Sequence, residues 1–251
     1  MRYAASLSRA GNRILNILMA LLILTIALYG AYSLWDTWEI YNRAFASEDL
    51  LKYKPAGNAG NTGNTNNPTL QDLMKINPDV RGWLTIDDTH INYPVLQGSY
   101  DYEYLNKDVY GNFVLSGSIF LSTGNSGDFS DPYSLVYGHH MDNGAMFGDV
   151  AEFVNSSYFE KHQTGTLYLP DQTYHISLFA CVEADAYDSQ IYDYSSDGKG
   201  DIAGLLDYIS KIAVQNRNIN VTDSDHIIGL STCADAVTNG RIVLFGRLDA
   251  T

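Results

Sequence analysis

The stretch Ile227-Ile228-Gly229-Leu230-Ser231-Thr232-Cys233 places a thiol at the end of an apolar, strand-like run. A second strand-like run begins at Arg241, and Tyr137-Gly138-His139 lies far upstream. A thiol nucleophile, an imidazole that transfers protons and a guanidinium that stabilises an oxyanion are together sufficient for acyl transfer. The three motifs therefore predict a cysteine-dependent transpeptidase, with Cys233, His139 and Arg241 as its catalytic groups.

Each of these residues alone has an ordinary structural explanation, because a strand-end cysteine is usually core and a histidine beside glycine usually lies in a loop. A neutral thiol and imidazole also prefer to stay neutral, by ~2 pKa units or ~2.7 kcal/mol. A guanidinium ~4 Å away, at an effective dielectric constant of ~20, contributes up to ~4 kcal/mol and makes the thiolate accessible. The catalytic interpretation thus depends on the three motifs acting together.

Short strand-like segments with turn residues between them dominate the chain after Thr69, which favours an antiparallel barrel or sandwich. The predicted strands are residues 83–86, 91–96, 118–121, 135–137, 166–169, 174–182, 226–230 and 241–248. Helical spacing predicts helices over residues 69–76, 101–105, 145–153, 157–162 and 201–213. The last of these lies in the long connection before the cysteine strand. The apolar stripe of this helix predicts that the helix docks on the barrel. The long connection is also a candidate for one wall of a binding groove.

Residues 14–35 contain no charge, and a helix of this length covers ~33 Å against a hydrocarbon core of ~30 Å. A cleaved signal peptide is the alternative, although its apolar core is usually only ~7–15 residues long. Arg2, Arg9 and Arg13 precede the run, so the positive-inside rule leaves residues 1–13 in the cytoplasm. The predicted organisation is a transmembrane helix over 14–35, a juxtamembrane segment with a flexible Gly/Asn tether over 36–68, and an extracellular catalytic domain over 69–251.

The formal net charge of -14 disfavours nucleic acid as a partner, since an acidic surface repels phosphate backbones. Cys181 and Cys233 are the two cysteines of a domain predicted to be extracellular, where a disulfide is the common outcome. Cys181, however, lies in a run that reads as a buried strand, and buried free cysteine is common. Both states remain open at this stage, with two free thiols favoured. His139, His140 and Cys233 lack zinc-ligand spacing, so we expect no metal and no other cofactor.

The joint pattern resembles the sortase family and is most similar to class B sortases. The resemblance rests on the histidine, cysteine and arginine motifs, and on supporting stretches at residues 77–84, 91–97, 117–121 and 137–141, in the order expected for the family. It implies a closed eight-stranded β-barrel with N-terminal helices and a helix in the long loop before the cysteine strand.

The resemblance also implies an activity and its residues. Cys233 would cleave the C-terminal sorting signal of a secreted protein after threonine, and an amine of a cell-wall precursor or of peptidoglycan would resolve the thioester. His139 would be the acid and base, and Arg241 the oxyanion group. Leu105, Ser231 and Thr232 would contact substrate. His140 follows His139 where relatives often have Asn, and Asp142 and Asp235 are candidates for orienting a catalytic group.

Two rival functions remain. A sortase that polymerises pilin subunits would use the same catalytic set, but such enzymes commonly carry an N-terminal lid and often a second membrane span. A non-catalytic surface protein tethered to the membrane would explain the anchor, the tether and the acidic domain equally well. It would leave the His, Cys and Arg motifs unexplained.

Overall fold

The computed structural model describes residues 2–56, 68–193, 201–233 and 239–250. By contacts between Cα atoms, the chain divides into two units, Met1–Asn42 and Arg43–Thr251. The described residues of the first unit lie in one long helix, α1 (Arg2–Arg43), whose last residue is assigned to the second unit. Its most apolar window has a mean hydropathy of 2.3, so by length and composition this helix can cross a membrane. A signal sequence meets the same criteria.

Among its described residues, the second unit has six helical segments besides the strands. They are α2 (Glu48–Leu51), α3 (Pro68–Ile76), a 3-10 helix (Gly148–Val154), α4 (Ser156–Lys161), α5 (Ser189–Tyr192) and α6 (Ile202–Ile212). Helix α6 lies in the long connection, as predicted. Residues 101–105 form turns and not the helix that we expected, because hydrogen bonds such as Glu103 N to Tyr100 O span only three residues. Most of the predicted Gly/Asn tether lies outside the described residues.

The strands of the second unit form one mixed sheet. They are β1 (Val80–Ile86), β2 (Asn92–Leu96), β3 (Ile119–Leu121), β4 (Tyr133–Tyr137), β5 (Thr164–Tyr168), β6 (Thr173–Asp185), β7 (Ala213–Asn216), β8 (His226–Cys233) and β9 (Gly240–Ala250). Their order is β5-β1-β2-β3-β4-β8-β9-β6-β7, and β5 also pairs with β6. That pairing closes eight strands into a barrel, which confirms the predicted fold class. Strand β7, which was not predicted, pairs with the far half of the same β6 edge.

The barrel is not purely antiparallel, because β2 pairs with β3 and β4 pairs with β8 in parallel. Parallel neighbours need a crossover connection of a dozen or more residues. Residues 97–118 supply one between β2 and β3, and the chain from β5 to β7 lies between β4 and β8. These crossovers bring segments that are distant in sequence to one end of the barrel.

Side chains alternate between the two faces of the barrel wall. On β8, Ile228 and Leu230 belong to the larger apolar core cluster, whereas Ile227 packs in a second cluster that contains Leu205 and Ile209 of α6. Strand β9 alternates in the same way along its length. Helix α6 therefore docks against the opposite face of the wall through its apolar stripe, as the sequence predicted.

Candidate active site

The three sequence motifs meet at one end of the adjacent strands β4, β8 and β9. The register pairs Tyr137 with Ser231 and Cys233 with Arg241. The amide of Gly138 donates to the Ser231 carbonyl at 3.1 Å, which continues the β4–β8 contact past the end of β4. Neighbouring strands lie ~4.8 Å apart. The backbone of Cys233 therefore lies opposite that of Arg241, and the histidine motif ends the strand on the other side of β8.

His139 is held by a backbone carbonyl from a distant loop. Its Nε2 lies 2.8 Å from the Leu105 carbonyl oxygen. A carbonyl only accepts, so Nε2 carries the proton of this hydrogen bond, and the neutral ring keeps its lone pair on Nδ1. The contact orients the imidazole and selects its tautomer, and Nδ1 is the nitrogen that can accept a proton.

The loop carrying Leu105 is fixed by close contact with Gly117, which has a φ of 59°. A Cβ atom on Gly117 would lie 2.3 Å from the Leu105 carbonyl oxygen and 2.7 Å from that of Tyr104. The Ser118 amide also donates to the Tyr104 carbonyl at 3.0 Å. Only glycine accommodates both the backbone conformation and the close approach. The position of the His139 acceptor therefore depends on Gly117.

Arg241 is half-buried and donates from Nη1 to the Gly240 carbonyl at 3.0 Å. Within the described residues, no carboxylate forms an ion pair with it. The guanidinium is thus partly positioned by the backbone, and its charge is not neutralised by a described acidic side chain. Such a group can donate further hydrogen bonds to an oxyanion.

A groove with a volume of about 340 Å³ lies over this end of the barrel. Its walls include the predicted residues Leu105, His139, Ser231, Thr232 and Arg241. Thr232 is 2% exposed, and its hydroxyl oxygen has no hydrogen-bond partner among the described residues. The structure therefore brings both described catalytic candidates and all three predicted substrate contacts to one groove.

Aromatic residues that the sequence analysis did not assign to a site make up much of the same groove. Tyr137 and Tyr192 stack with ring centroids 6.4 Å apart and planes at 13°, and the Tyr192 hydroxyl lies 3.0 Å from that of Ser231. The remaining members are Phe120, Tyr102 and Tyr187. Tyr187 and Tyr192 come from the long connection, which forms one wall of the groove. The close spacing of Tyr187 and Tyr192 in the sequence was the signal that could have identified them as groove residues.

The candidates for orienting the catalytic groups differ in position. Asp142 Oδ1 lies 3.4 Å from Nε2 of His140, and the Asp142 side chain is 84% exposed. Asp142 therefore contacts His140, whereas His139 is bonded to Leu105. His140 is not among the residues that line the groove. Asp235 lies outside the described residues.

Cys181 is a free thiol, and it is buried in the barrel core. Burial first, with the charge of Glu183 second, raises its pKa to about 12. Cys181 pairs with Leu244 of β9, and β9 separates β6 from β8. Two strand spacings amount to ~9.6 Å, whereas a disulfide needs Cα atoms within ~7 Å. This fold therefore excludes a bridge between Cys181 and Cys233. Among the described residues, no group of three or more His, Cys, Asp or Glu side chains is arranged to hold a metal ion.

Comparison with known proteins identifies the family. No protein-family model matches the chain. Sortase B of Staphylococcus aureus is 30% identical over 240 residues, which span 94% of this chain and 97% of that protein. Sortase B of Listeria monocytogenes is 33% identical over 184 residues, or 71% of this chain and 73% of that protein.

Solved structures agree with these sequence matches. A Streptococcus pyogenes class B sortase involved in pilus biogenesis is 40% identical, with a TM-score of 0.65 over 72% of this chain and 97% of that one. The S. aureus sortase B–substrate complex is 32% identical, with a TM-score of 0.67 over 73% of this chain and 86% of that one. The closed barrel and the extent of sequence identity lead to one conclusion: this chain belongs to the sortase family of transpeptidases and is most similar to its class B members.

Proposed function

We propose that this sortase cleaves the sorting signal of a secreted protein and joins the new carboxyl end to an amine of the cell wall. Cys233, His139 and Arg241 are the proposed catalytic residues. The observation that carries the proposal is the register of three adjacent strands, in which Cys233 lies opposite Arg241 and the His139 motif ends the next strand. With the proposed roles, this register would bring a nucleophile, a proton carrier and an oxyanion donor to one end of the barrel.

The reaction has two halves. The Cys233 sulfur attacks the carbonyl carbon of the peptide bond after threonine, and the thiol proton passes to Nδ1 of His139. Arg241 donates hydrogen bonds to the oxyanion of the tetrahedral intermediate. The intermediate collapses, the C–N bond breaks, and His139 returns the proton to the leaving amine. The acceptor amine then attacks the thioester carbonyl carbon and gives a proton to His139. The C–S bond breaks, and His139 returns the proton to the Cys233 sulfur, which restores the thiol.

The groove supports a peptide substrate. It is long enough to include residues from the β2–β3 connection, from β4 and β8, and from the chain around α5. Its aromatic walls offer apolar contact area, and Ser231 and Thr232, the two residues before Cys233, also line it. The S. aureus relative whose structure is described as a substrate complex has the same fold.

A sortase that joins pilin subunits is the second candidate. It is favoured by the similarity to the S. pyogenes class B sortase involved in pilus biogenesis. Another sortase B structure contains triglycine, and a glycine peptide is an acceptor of the kind that cell-wall attachment would use. The two functions differ in the acceptor, which is an amine of the cell wall in one case and an amine of another pilin subunit, such as a lysine side chain, in the other.

Helix α1 is the proposed membrane anchor, with the N-terminus in the cytoplasm and the barrel outside. Support comes from its uncharged 22-residue run at positions 14–35 and from the arginines before it. Anchoring at the outer surface would bring the groove near secreted proteins that have just crossed the membrane.

An acceptor competition distinguishes the two functions. The full chain in detergent is incubated with fluorogenic peptides that contain a fixed threonine, together with triglycine or with an acetylated lysine peptide. Joining to triglycine would support cell-wall attachment, and joining to the lysine side chain would support pilin assembly. Cleavage that persists in Cys233→Ala would contradict the proposed mechanism for both functions.

A further inference from the structure

Asp101 lies in the wall of the groove and presents an oriented carboxylate with one open oxygen. The Thr123 amide and hydroxyl both donate to Oδ1 of Asp101, at 2.6 and 2.8 Å. Within the part of the chain that the structure describes, Oδ2 has no hydrogen bond and Asp101 has no ion pair. Asp101 belongs to the β2–β3 connection, four residues before Leu105, whose carbonyl holds His139. The Asp101 carboxylate is therefore held by Thr123, and it belongs to the same β2–β3 connection as Leu105, which contacts the proposed catalytic histidine.

In its described part, the groove carries one formal charge of each sign. Among the described lining residues, Asp101 and Arg241 are the acidic and the basic side chain. Arg241 is already assigned to the oxyanion. The negative charge of Asp101 therefore has no matched role in the proposed reaction, although it faces the space where substrate would lie.

The surroundings of Asp101 would strengthen the attraction of a cation. Burial, followed by the charge of Asp101, raises the pKa of Tyr137, which stays neutral across the physiological range. Tyr102, the next residue along the chain, is 75% exposed and also lines the groove. Aromatic faces attract cations, and a partly apolar wall lowers the effective dielectric constant. A carboxylate in such a place binds an ammonium group better than one in open solvent.

We propose that Asp101 binds an ammonium group during the sortase reaction, a role that rests on the proposed function of this groove. The ammonium group has two chemically equivalent sources. It is either a lysine side chain of the sorting signal, or the acceptor amine, which binds as the ammonium ion and loses one proton to solvent before it attacks the thioester. In the first case Asp101 selects the peptide, and in the second it selects the acceptor.

The first arm measures binding and not turnover. The full chain in detergent carries Cys233→Ala, and the probes are fluorescent hexapeptides with a fixed threonine and with lysine or norleucine at each other position in turn. A charged hydrogen bond of this kind is worth about tenfold in affinity. We expect lysine to bind about tenfold tighter than norleucine at one position, and Asp101→Asn to remove that preference.

The variant is chosen to preserve the loop. Asparagine keeps an oxygen that can accept from Thr123, so Asp101→Asn removes the charge with the least change in structure. Asp49→Asn is the matched control, because it removes one negative charge at a side chain that is 91% exposed on α2 and does not line the groove. Asp49→Asn should retain the lysine preference. Asp101→Lys should reverse the preference, so that glutamate binds better than lysine at the same position.

The second arm tests the acceptor as the source. Calorimetric titration compares triglycine with N-acetyltriglycine, which lacks the ammonium group, on the same Cys233→Ala protein. If the acceptor is the source, triglycine binds about tenfold tighter than its acetylated form, Asp101→Asn abolishes the difference, and no peptide position shows a lysine preference. A difference that persists in Asp101→Asn in both arms, or no difference in either arm, overturns the proposal.

Both arms remain informative if the proposed reaction is wrong, because neither requires turnover. An ammonium preference that depends on Asp101, in a protein whose Cys233 form makes no thioester, would leave the binding site standing and contradict the proposed function. A thioester on Cys233 without any ammonium preference would support the proposed function and contradict the ammonium site at Asp101.

Discussion

Arg241 combines a permanent charge with a forked donor geometry, and the proposed mechanism needs both. Arg241→Lys keeps the charge but loses the two parallel donors. Loss of one oxyanion donor typically lowers kcat by about 10²–10³. We expect a fall in kcat of that size with little change in KM, measured by cleavage of a fluorogenic sorting peptide. Wild-type turnover in Arg241→Lys would show that Arg241 only supports the structure.

The two cysteines should differ sharply in reactivity. The pKa of Cys181 is raised to about 12 by burial, so its thiol stays protonated and inert at pH 7 to 9. We expect iodoacetamide to leave Cys181 unmodified in the native protein and to modify it in guanidinium chloride, as read by peptide mass spectrometry. Modification of native Cys181 at neutral pH would contradict its place in the core.

The raised pKa of Cys181 also has a consequence for stability against pH. A folded-state pKa above the ordinary thiol value of 9.0 means that the folded protein holds the thiol proton more tightly than the unfolded chain. This contribution to stability is complete below about pH 9 and is lost as pH rises toward 12. Cys181→Ser adds a buried hydroxyl and removes the titration in this range. Its unfolding free energy should therefore fall less steeply between pH 9 and 11, as measured by urea denaturation.

At the scale of elements, Gly117 connects the start of β3 to the loop that holds His139. Gly117→Ala would push against the carbonyls of Tyr104 and Leu105, so we expect lost activity and a destabilisation of about 1–3 kcal/mol. Gly111→Ala is the matched control, because Gly111 also has a positive φ of 83° but nothing within 4 Å of its would-be Cβ. Equal loss of activity in the two variants would mean that backbone strain, and not the contact with Leu105, is responsible.

The elements also show what could be predicted from sequence. Strands β8 and β9 contain long apolar runs, so their positions in the sequence could be predicted. The three motifs pointed to His139, Cys233 and Arg241. Strand β7 has four residues of alternating burial, which is too short a pattern to recognise. The groove residues Asp101, Tyr102 and Phe120 could not be assigned, because the parallel β2–β3 crossover brings them to the site and local sequence does not report which strands become neighbours.

At the scale of the whole molecule, the proposed anchor should decide where the enzyme is found. We expect the full chain to sediment with membranes and to resist extraction by carbonate, because residues 14–35 are uncharged and long enough to span a bilayer. A chain that begins at Thr69 should remain in the soluble fraction. If the protein expressed with its N-terminal segment is instead recovered from the medium without that segment, the segment is a cleaved signal.

The central claim is that Cys233 forms a thioester with the sorting signal. Intact-mass spectrometry of the full chain in detergent, incubated with a threonine-containing sorting-peptide library and no added amine, tests it directly. We expect a covalent adduct with the mass of the acyl fragment, located at Cys233, released by hydroxylamine and absent in Cys233→Ala. Peptide cleavage without any adduct, or an adduct that persists in Cys233→Ala, would contradict it.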